Sequence, residues 1–130
     1  MIKQTFDVEK YWKVIVYYDI DYNLFHKVTN ALHEANCPNR IIDSIYDNMC
    51  YGNAKAFTYN NTKKHISVVG FNVHNTKYDY INSIAHEAEH IKQGMLKAYH
   101  VKDADEPPAY TIGFLMMKMF IVFDVLLKDN

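Results

Sequence analysis

The sequence predicts a single α+β domain, residues 1–130, in which a small three-stranded sheet is combined with about four helices. Its length of 130 residues suits one domain with one hydrophobic core. Segments rich in β-branched and aromatic residues alternate with segments whose apolar residues recur every three or four positions, as in mixed strands and helices. Apolar residues make up 49% and charged residues 22%, which is typical of a globular chain and not of a disordered one.

The first half of the chain predicts one strand followed by two helices. Lys13–Ile20, KVIVYYDI, is β-branched and aromatic and therefore predicts a strand. Asp21–Asn36 carries apolar residues at helical spacing, with Asp21 as a plausible N-cap and Pro38 just after the expected end. Arg40–Met49 predicts a second, shorter helix.

The next segments predict a hairpin and a long helix. Lys55–Tyr59 and His65–Val73 have strand composition and are joined around the turn-forming cluster NNTKK. With the first strand, this hairpin completes the predicted three-stranded sheet. Thr76–Tyr99 predicts a helix, which Thr76 and Asp79 begin with an approximate capping box.

The last segment, Ala109–Leu127, is almost uniformly apolar and predicts a helix that follows two prolines. Its 19 residues approach the length needed to cross a bilayer. However, Lys118 lies near the centre, where a lysine costs about 2.5–3.5 kcal/mol on insertion scales. A core helix or a homodimer contact is therefore the preferred interpretation, and a membrane anchor is the weaker alternative.

Charge and cysteine content restrict the class of protein. The formal net charge is −1, which argues against a broad basic surface for nucleic acid. Cys37 and Cys50 match no common zinc or redox spacing and are interpreted as buried or half-buried thiols in a reducing compartment. The N-terminal stretch has no apolar core of a secretory signal, so a cytoplasmic location is expected.

The candidate site is the sequence His86-Glu87-Ala88-Glu89-His90, which lies within the predicted long helix. Residues i and i+4 of a helix are about 40° apart and one turn apart, so both imidazoles can face one metal ion. Zinc accepts two such nitrogens and prefers tetrahedral geometry. Glu87 is rotated by about 100° from His86, where it can reach a water on the metal and act as general base.

The helical wheel predicts that the two histidines are exposed. Apolar side chains cluster on the opposite side of the helix, which leaves His86 and His90 on the polar face. A mid-core role for the histidines is thereby excluded. A solvated polar face and a site open to a cleft remain as alternatives.

A third metal ligand can come from the segment after this helix. Glu106 follows His90 by 16 residues and stands at the start of the last helix. That helix can fold back against the helix that carries the motif, so that the two form an antiparallel pair. Asp103 and Asp105 are competing carboxylates, and Glu106 alone is equally well explained as a favourable charge at a helix N-terminus.

SIAHEAEH followed by DEPPAY resembles the gluzincin-type HExxH zinc metallopeptidases, in their very small intracellular and phage-associated forms. ImmA/IrrE-type peptidases have the same order, with HExxH on one helix and Glu-x-x-Ala early in the next. Here that second element is Glu106-Pro107-Pro108-Ala109. The resemblance covers about a quarter of the chain, roughly Ser83–Met117, and it implies a minimal zincin-like fold.

The resemblance implies a set of residue roles for peptide-bond hydrolysis. His86, His90 and Glu106 would bind Zn²⁺, and Glu87 would be the general base and later the proton donor. The oxyanion would be stabilised by Tyr110, which is slightly preferred over Tyr99 and His100. HISVVGF is similar to the edge strand along which such enzymes lay a substrate.

Three functional interpretations follow from these observations. The preferred one is a zinc-dependent peptidase acting on a peptide or protein. The second is a non-catalytic zincin-like binding or regulatory module in which the metal is structural or absent. The third is the membrane-anchored protein. Glu89 is interpreted as a solvated residue in preference to a partner of an imidazole. His65 and His74 are interpreted as surface histidines, with a position in a cleft beside the motif as the alternative.

Overall fold

The structure is a computed structural model that describes residues 1–101, 106–122 and 126, without the side chains of residues 106–109. The described chain has an α+β fold with one sheet, as predicted. The strands are β1 (Ile2–Val8), β2 (Trp12–Tyr18), β3 (Ala56–Asn61) and β4 (Ile66–Phe71). The helices are α1 (Phe25–Glu34), α2 (Asn39–Cys50), α3 (Lys77–Tyr99) and α4 (Glu106–Phe120). A short 3-10 turn at Tyr22–Leu24 precedes α1.

The sheet has four strands in the order β1-β2-β4-β3, so the prediction of three strands is wrong. The strand missed from the sequence is β1, which pairs with β2 antiparallel from Ile2 opposite Tyr18 to Val8 opposite Trp12. Its exposed and half-buried residues alternate strictly, as in an edge strand with one face toward solvent. Because the residues of that outer face are polar, the apolar content of the segment does not predict a strand.

The predicted position of the edge strand is also wrong. β4 lies in the middle of the sheet, where it pairs parallel with β2 and antiparallel with β3, and all six of its residues are buried. The edge next to α3 is formed by β3. Strand order depends on long-range pairing, so the hairpin pattern alone does not reveal which of its two strands is outermost.

Two hydrophobic clusters lie on opposite faces of the sheet. On one face, α1 and α2 pack against side chains such as Ile15, Phe57 and Val68. On the other face, α3 and α4 pack against side chains such as Val14 and Val69. The two central strands, β2 and β4, therefore contribute alternate residues to the two clusters, whereas β1 contributes only to the cluster under α3 and α4. This arrangement places the polar face of α3 beside the free edge of β3.

The last helix begins with Glu106 and ends at Phe120, before the predicted end at Leu127. The predicted range includes residues 123–125 and 127, which lie outside the described residues. Leu115 and Met119 are fully buried, in agreement with the prediction of a core helix. Among the described residues, none of the helices combines the length and apolar character that crossing a membrane requires.

Candidate metal centre

α3 carries the HExxH motif in its middle turns, as predicted. Both ends of the helix are well defined. The side chain of Thr76, the N-cap, accepts a hydrogen bond from the backbone N–H of Asp79 at 3.1 Å. His100 ends the helix in the left-handed conformation with φ of 56°. The motif therefore lies on regular helix, where residues four apart share a face.

His86 and His90 are exposed and converge, which confirms the helical-wheel prediction. Their Nε2 atoms lie 3.1 Å apart. Two ligands of a tetrahedral zinc ion, each at about 2.0–2.1 Å, are separated by about 3.3 Å. The separation of the two Nε2 atoms is therefore within a few tenths of an ångström of the separation of two zinc ligands, and it is also a hydrogen-bond distance.

Glu87 lies beside the histidines but points toward the sheet. It is only 4% exposed, and its Oε1 accepts a hydrogen bond from Thr58 Oγ1 of β3 at 3.0 Å. Burial raises the pKa of Glu87, while the Thr58 hydroxyl and the nearby His86 and His90 act in the opposite direction. The carboxylate is thus held in one orientation between the helix and the edge strand.

A cleft of about 490 Å³ runs between β3 and α3, and three residues of the motif, His86, Glu87 and His90, line it. One wall is formed by residues 54–58, and the other is formed by α3. The α3 residues that line it are Asn82, Ser83, His86, Glu87 and His90. The cleft is large enough to admit a peptide side chain, so the alternative of a plain solvated face is less favourable than a site open to a cleft.

The predicted third ligand belongs to the segment that follows α3. Glu106 begins α4, but its side chain lies outside the described residues, as do Asp103 and Asp105. In the described part, no group of three or more His, Cys, Asp or Glu side chains could hold a metal ion. Glu106 as a ligand therefore stays a prediction, and so does the binding of zinc.

The candidates for oxyanion stabilisation lie away from the cleft. Tyr110 is 73% exposed on α4 and lines a different cavity with Val8 and Glu9. Tyr99 packs against Trp12 at the end of α3, nine residues or about 14 Å along the helix from His90. His100 is the C-cap of the same helix. Tyr110 is thus not among the residues that line the cleft, and its catalytic role stays a prediction.

The remaining residues singled out from the sequence have structural contacts. Glu89 Oε2 forms an ion pair with Lys92 Nζ at 3.0 Å, and its Oε1 accepts a hydrogen bond from Gln93 at 2.9 Å. Those contacts hold Glu89 on the outer surface of α3. His65 stacks on Trp12, and His74 is buried against Ser83 of α3.

Sequence analysis missed the polar residues that β3 contributes to the site. Thr58 bonds to Glu87, and Asn60 Nδ2 donates to the backbone carbonyl of His90 at 2.9 Å. Phe57 and Tyr59, which alternate with them, belong to the cluster on the opposite face. The alternation of polar and aromatic residues within AFTYNN indicates that Thr58 and Asn60 share one face of the strand. It does not indicate that this face lies beside α3.

No family model matches the chain, and neither the curated proteins nor the solved structures contain a match to it.

Proposed function

We propose that this chain is a small zinc-dependent peptidase that hydrolyses peptide bonds with a metal-activated water. The observation that carries the proposal is the convergence of His86 and His90, with Nε2 atoms 3.1 Å apart, beside a buried carboxylate in an open cleft. His86 and His90 would hold the metal, and Glu106 would complete the set. A bound zinc ion would polarise the scissile carbonyl and lower the pKa of the attacking water.

Glu87 would act as general base and then as proton donor. Its Oε1 is fixed by Thr58, which leaves the second carboxylate oxygen to take the proton from water. Because the side chain is buried, it needs no large reorientation before accepting that proton. The same carboxyl group would then return the proton to the leaving amine.

The free edge of β3 would bind the substrate backbone. In the described chain, β3 pairs only with β4, and its other edge borders the cleft. An extended peptide can add to such an edge as a further strand, with main-chain hydrogen bonds that do not depend on sequence. Substrate recognition would thus use a different strand from the one that the sequence indicated.

The proposal is tested with zinc analysis and hydrolysis of a mixed peptide library by the wild type, Glu87→Gln and Glu89→Gln. Glu89 is the matched control because it lies on the same helix but pairs with Lys92. We expect stoichiometric zinc in all three proteins. Hydrolysis should fall by about 10²–10⁴-fold in Glu87→Gln and stay near wild type in Glu89→Gln.

Two outcomes would contradict the proposal in different ways. Failure of the wild type to bind zinc at any neutral condition would exclude a zinc peptidase. Stoichiometric zinc without hydrolysis of any peptide would favour the non-catalytic binding module.

A further inference from the structure

A chain of three hydrogen bonds connects the hydrophobic core to the backbone of His90. Trp12 Nε1 donates to Ser67 Oγ at 2.8 Å, and Ser67 Oγ donates to Asn60 Oδ1 at 2.5 Å. Asn60 Nδ2 then donates to the carbonyl of His90 at 2.9 Å. Trp12 and Ser67 are completely buried. Since both ends of the Asn60 amide are engaged, the side chain cannot rotate without losing a bond.

Gly94 leaves the space that the Asn60 amide occupies. A Cβ atom at this position would lie 2.5 Å from Asn60 Nδ2 and 2.6 Å from its Cγ, well inside van der Waals contact. Glycine in a helix interior costs about 0.5–1 kcal/mol relative to alanine. The glycine stands one turn after His90, where the amide crosses the helix surface. The helix thus accepts a residue of low helix propensity at the point where the hydrogen bond forms.

Strand β3 contacts two residues of the motif, Glu87 and His90. Thr58 and Asn60 are two residues apart in β3, so both face α3. Thr58 bonds to the carboxylate of Glu87, and Asn60 bonds to the backbone of His90. The register between strand and helix therefore fixes the general base and the second histidine relative to each other.

We propose that Asn60 is a positioning residue for His90, which anchors the backbone of this residue so that its Nε2 stays in register with His86 and Glu87. The inference rests on the proposed function, because it assigns Asn60 a purpose in metal binding. Metal sites need ligand distances within about 0.2 Å of their preferred values. A backbone shift at residue 90 that exceeds this tolerance would misplace the imidazole even though Asn60 never touches the metal.

The test compares Asn60→Ala, Gly94→Ala and the control Asn61→Ala in the full chain. Asn61 is the neighbour on β3, and its amide also donates to a backbone carbonyl, that of Ala35 at 2.8 Å, on the other face of the sheet. Gly94→Ala keeps Asn60 but displaces its amide, while the new alanine favours the helix. This second variant remains informative if Asn60→Ala folds poorly.

Two measurements are made well below the unfolding temperature of each variant. Zn²⁺ affinity, obtained by competition with a chromophoric chelator, should weaken about 10–100-fold in Asn60→Ala and Gly94→Ala. In Asn61→Ala it should stay within about twofold of wild type, because the bonds lost are those to the carbonyl of Ala35 and from the backbone N–H groups of Lys63 and Lys64, none of which involves α3. In the metal-free protein, imidazole ¹H–¹⁵N spectra should show shifted His90 signals in the first two variants and unchanged signals in the control.

The outcomes separate this inference from the proposed function. The positioning role would be overturned if Asn60→Ala bound zinc as tightly as the wild type, or if Asn61→Ala lost as much zinc affinity as Asn60→Ala. The peptidase proposal would stand in both cases. A wild type that binds no zinc would overturn the peptidase proposal. In that case the metal-free spectra decide: unchanged His90 signals in Asn60→Ala overturn the anchoring role, and signals shifted only in Asn60→Ala and Gly94→Ala support it.

Discussion

His74 is buried beside α3, and each of its ring nitrogens has a hydrogen-bond partner. Nδ1 lies 2.6 Å from the carbonyl of Asn72, and Nε2 lies 2.7 Å from Ser83 Oγ. The ring also stacks on Tyr80, with centroids 4.2 Å apart. A neutral imidazole, with one donor and one acceptor nitrogen, satisfies both bonds at once. The residue therefore anchors the start of the helix that carries the motif.

The environment of His74 favours the neutral form of the ring. Burial lowers its pKa below the ordinary value of 6.5, and the charge of Lys55 acts in the same direction. The carbonyl of Asn72 and the carboxylates of Asp79 and Asp19 act against these effects and only partly offset them. At acidic pH the unfolded chain therefore binds a proton at this position more readily than the folded chain.

We expect the free energy of unfolding to decrease when the pH falls from about 7.5 to about 5, because protonation of His74 favours the unfolded state. Its contribution is complete above pH 6.5 and is lost as the pH falls toward the lower pKa of the folded protein. Urea unfolding across this range, with a chelator present, measures the slope. His74→Gln should show a smaller slope, and an identical slope in both proteins would contradict the assignment.

At the scale of elements, α3 connects the sheet to the candidate site. It is 23 residues long, and its start is stabilised by the side chain of Thr76. The first turn of a helix has N–H groups without helical partners, so a capping hydroxyl contributes to the stability of the whole helix. His86 and His90 lie in the turns that follow. The cap is therefore part of what holds the motif in place.

Thr76→Ala should lower the free energy of unfolding by about 1 kcal/mol, because the N–H of Asp79 loses its side-chain acceptor. Thr76→Ser keeps the hydroxyl and should stay close to wild type. Chemical denaturation of the three proteins provides the comparison. Equal losses in the alanine and serine variants would show that the Thr76 methyl group, and not the cap, is responsible.

The elements differ in how far the sequence predicts them. The predicted start of α3 is one residue too early, and its predicted end at Tyr99 agrees with the structure. Both ends are predictable because the cap and the apolar period of the helix are local signals. β1 was missed because its stability depends on pairing with β2, while half of its residues face outward. Tertiary pairing also determines that β3, and not β4, forms the edge.

The same distinction applies to the candidate site. His86 and His90 could be predicted as a converging pair because their spacing within one helix determines their direction. Thr58 and Asn60 lie about 30 positions earlier in the chain, and their contacts with α3 depend on how the helix docks on the sheet. Local patterns thus predict the converging histidine pair and not the residues of β3 that contact the motif.

For the whole molecule, α4 completes the core on the face of the sheet that carries α3. Leu115 and Met119 are fully buried within the cluster formed by α3 and the sheet. Contacts with β1 support the same helix, since Gln4 Nε2 donates to the carbonyl of Lys118 at 2.8 Å. The helix also exposes apolar side chains such as Met117 and Phe120, and the homodimer contact stays a prediction. Docking of α4 therefore supports the helix that bears the motif from the side opposite the histidines.

Leu115→Ala should lower the free energy of unfolding by about 2–5 kcal/mol, because it removes a fully buried side chain and leaves a cavity between α4 and α3. Met117 on the same helix is 48% exposed, and Met117→Ala should change stability by less than about 0.5 kcal/mol. Urea unfolding followed by two probes measures both values and checks that the transition is cooperative. A small loss in Leu115→Ala, or a transition in which the α4 probe unfolds before the sheet, would show that α4 is not an integral part of the core.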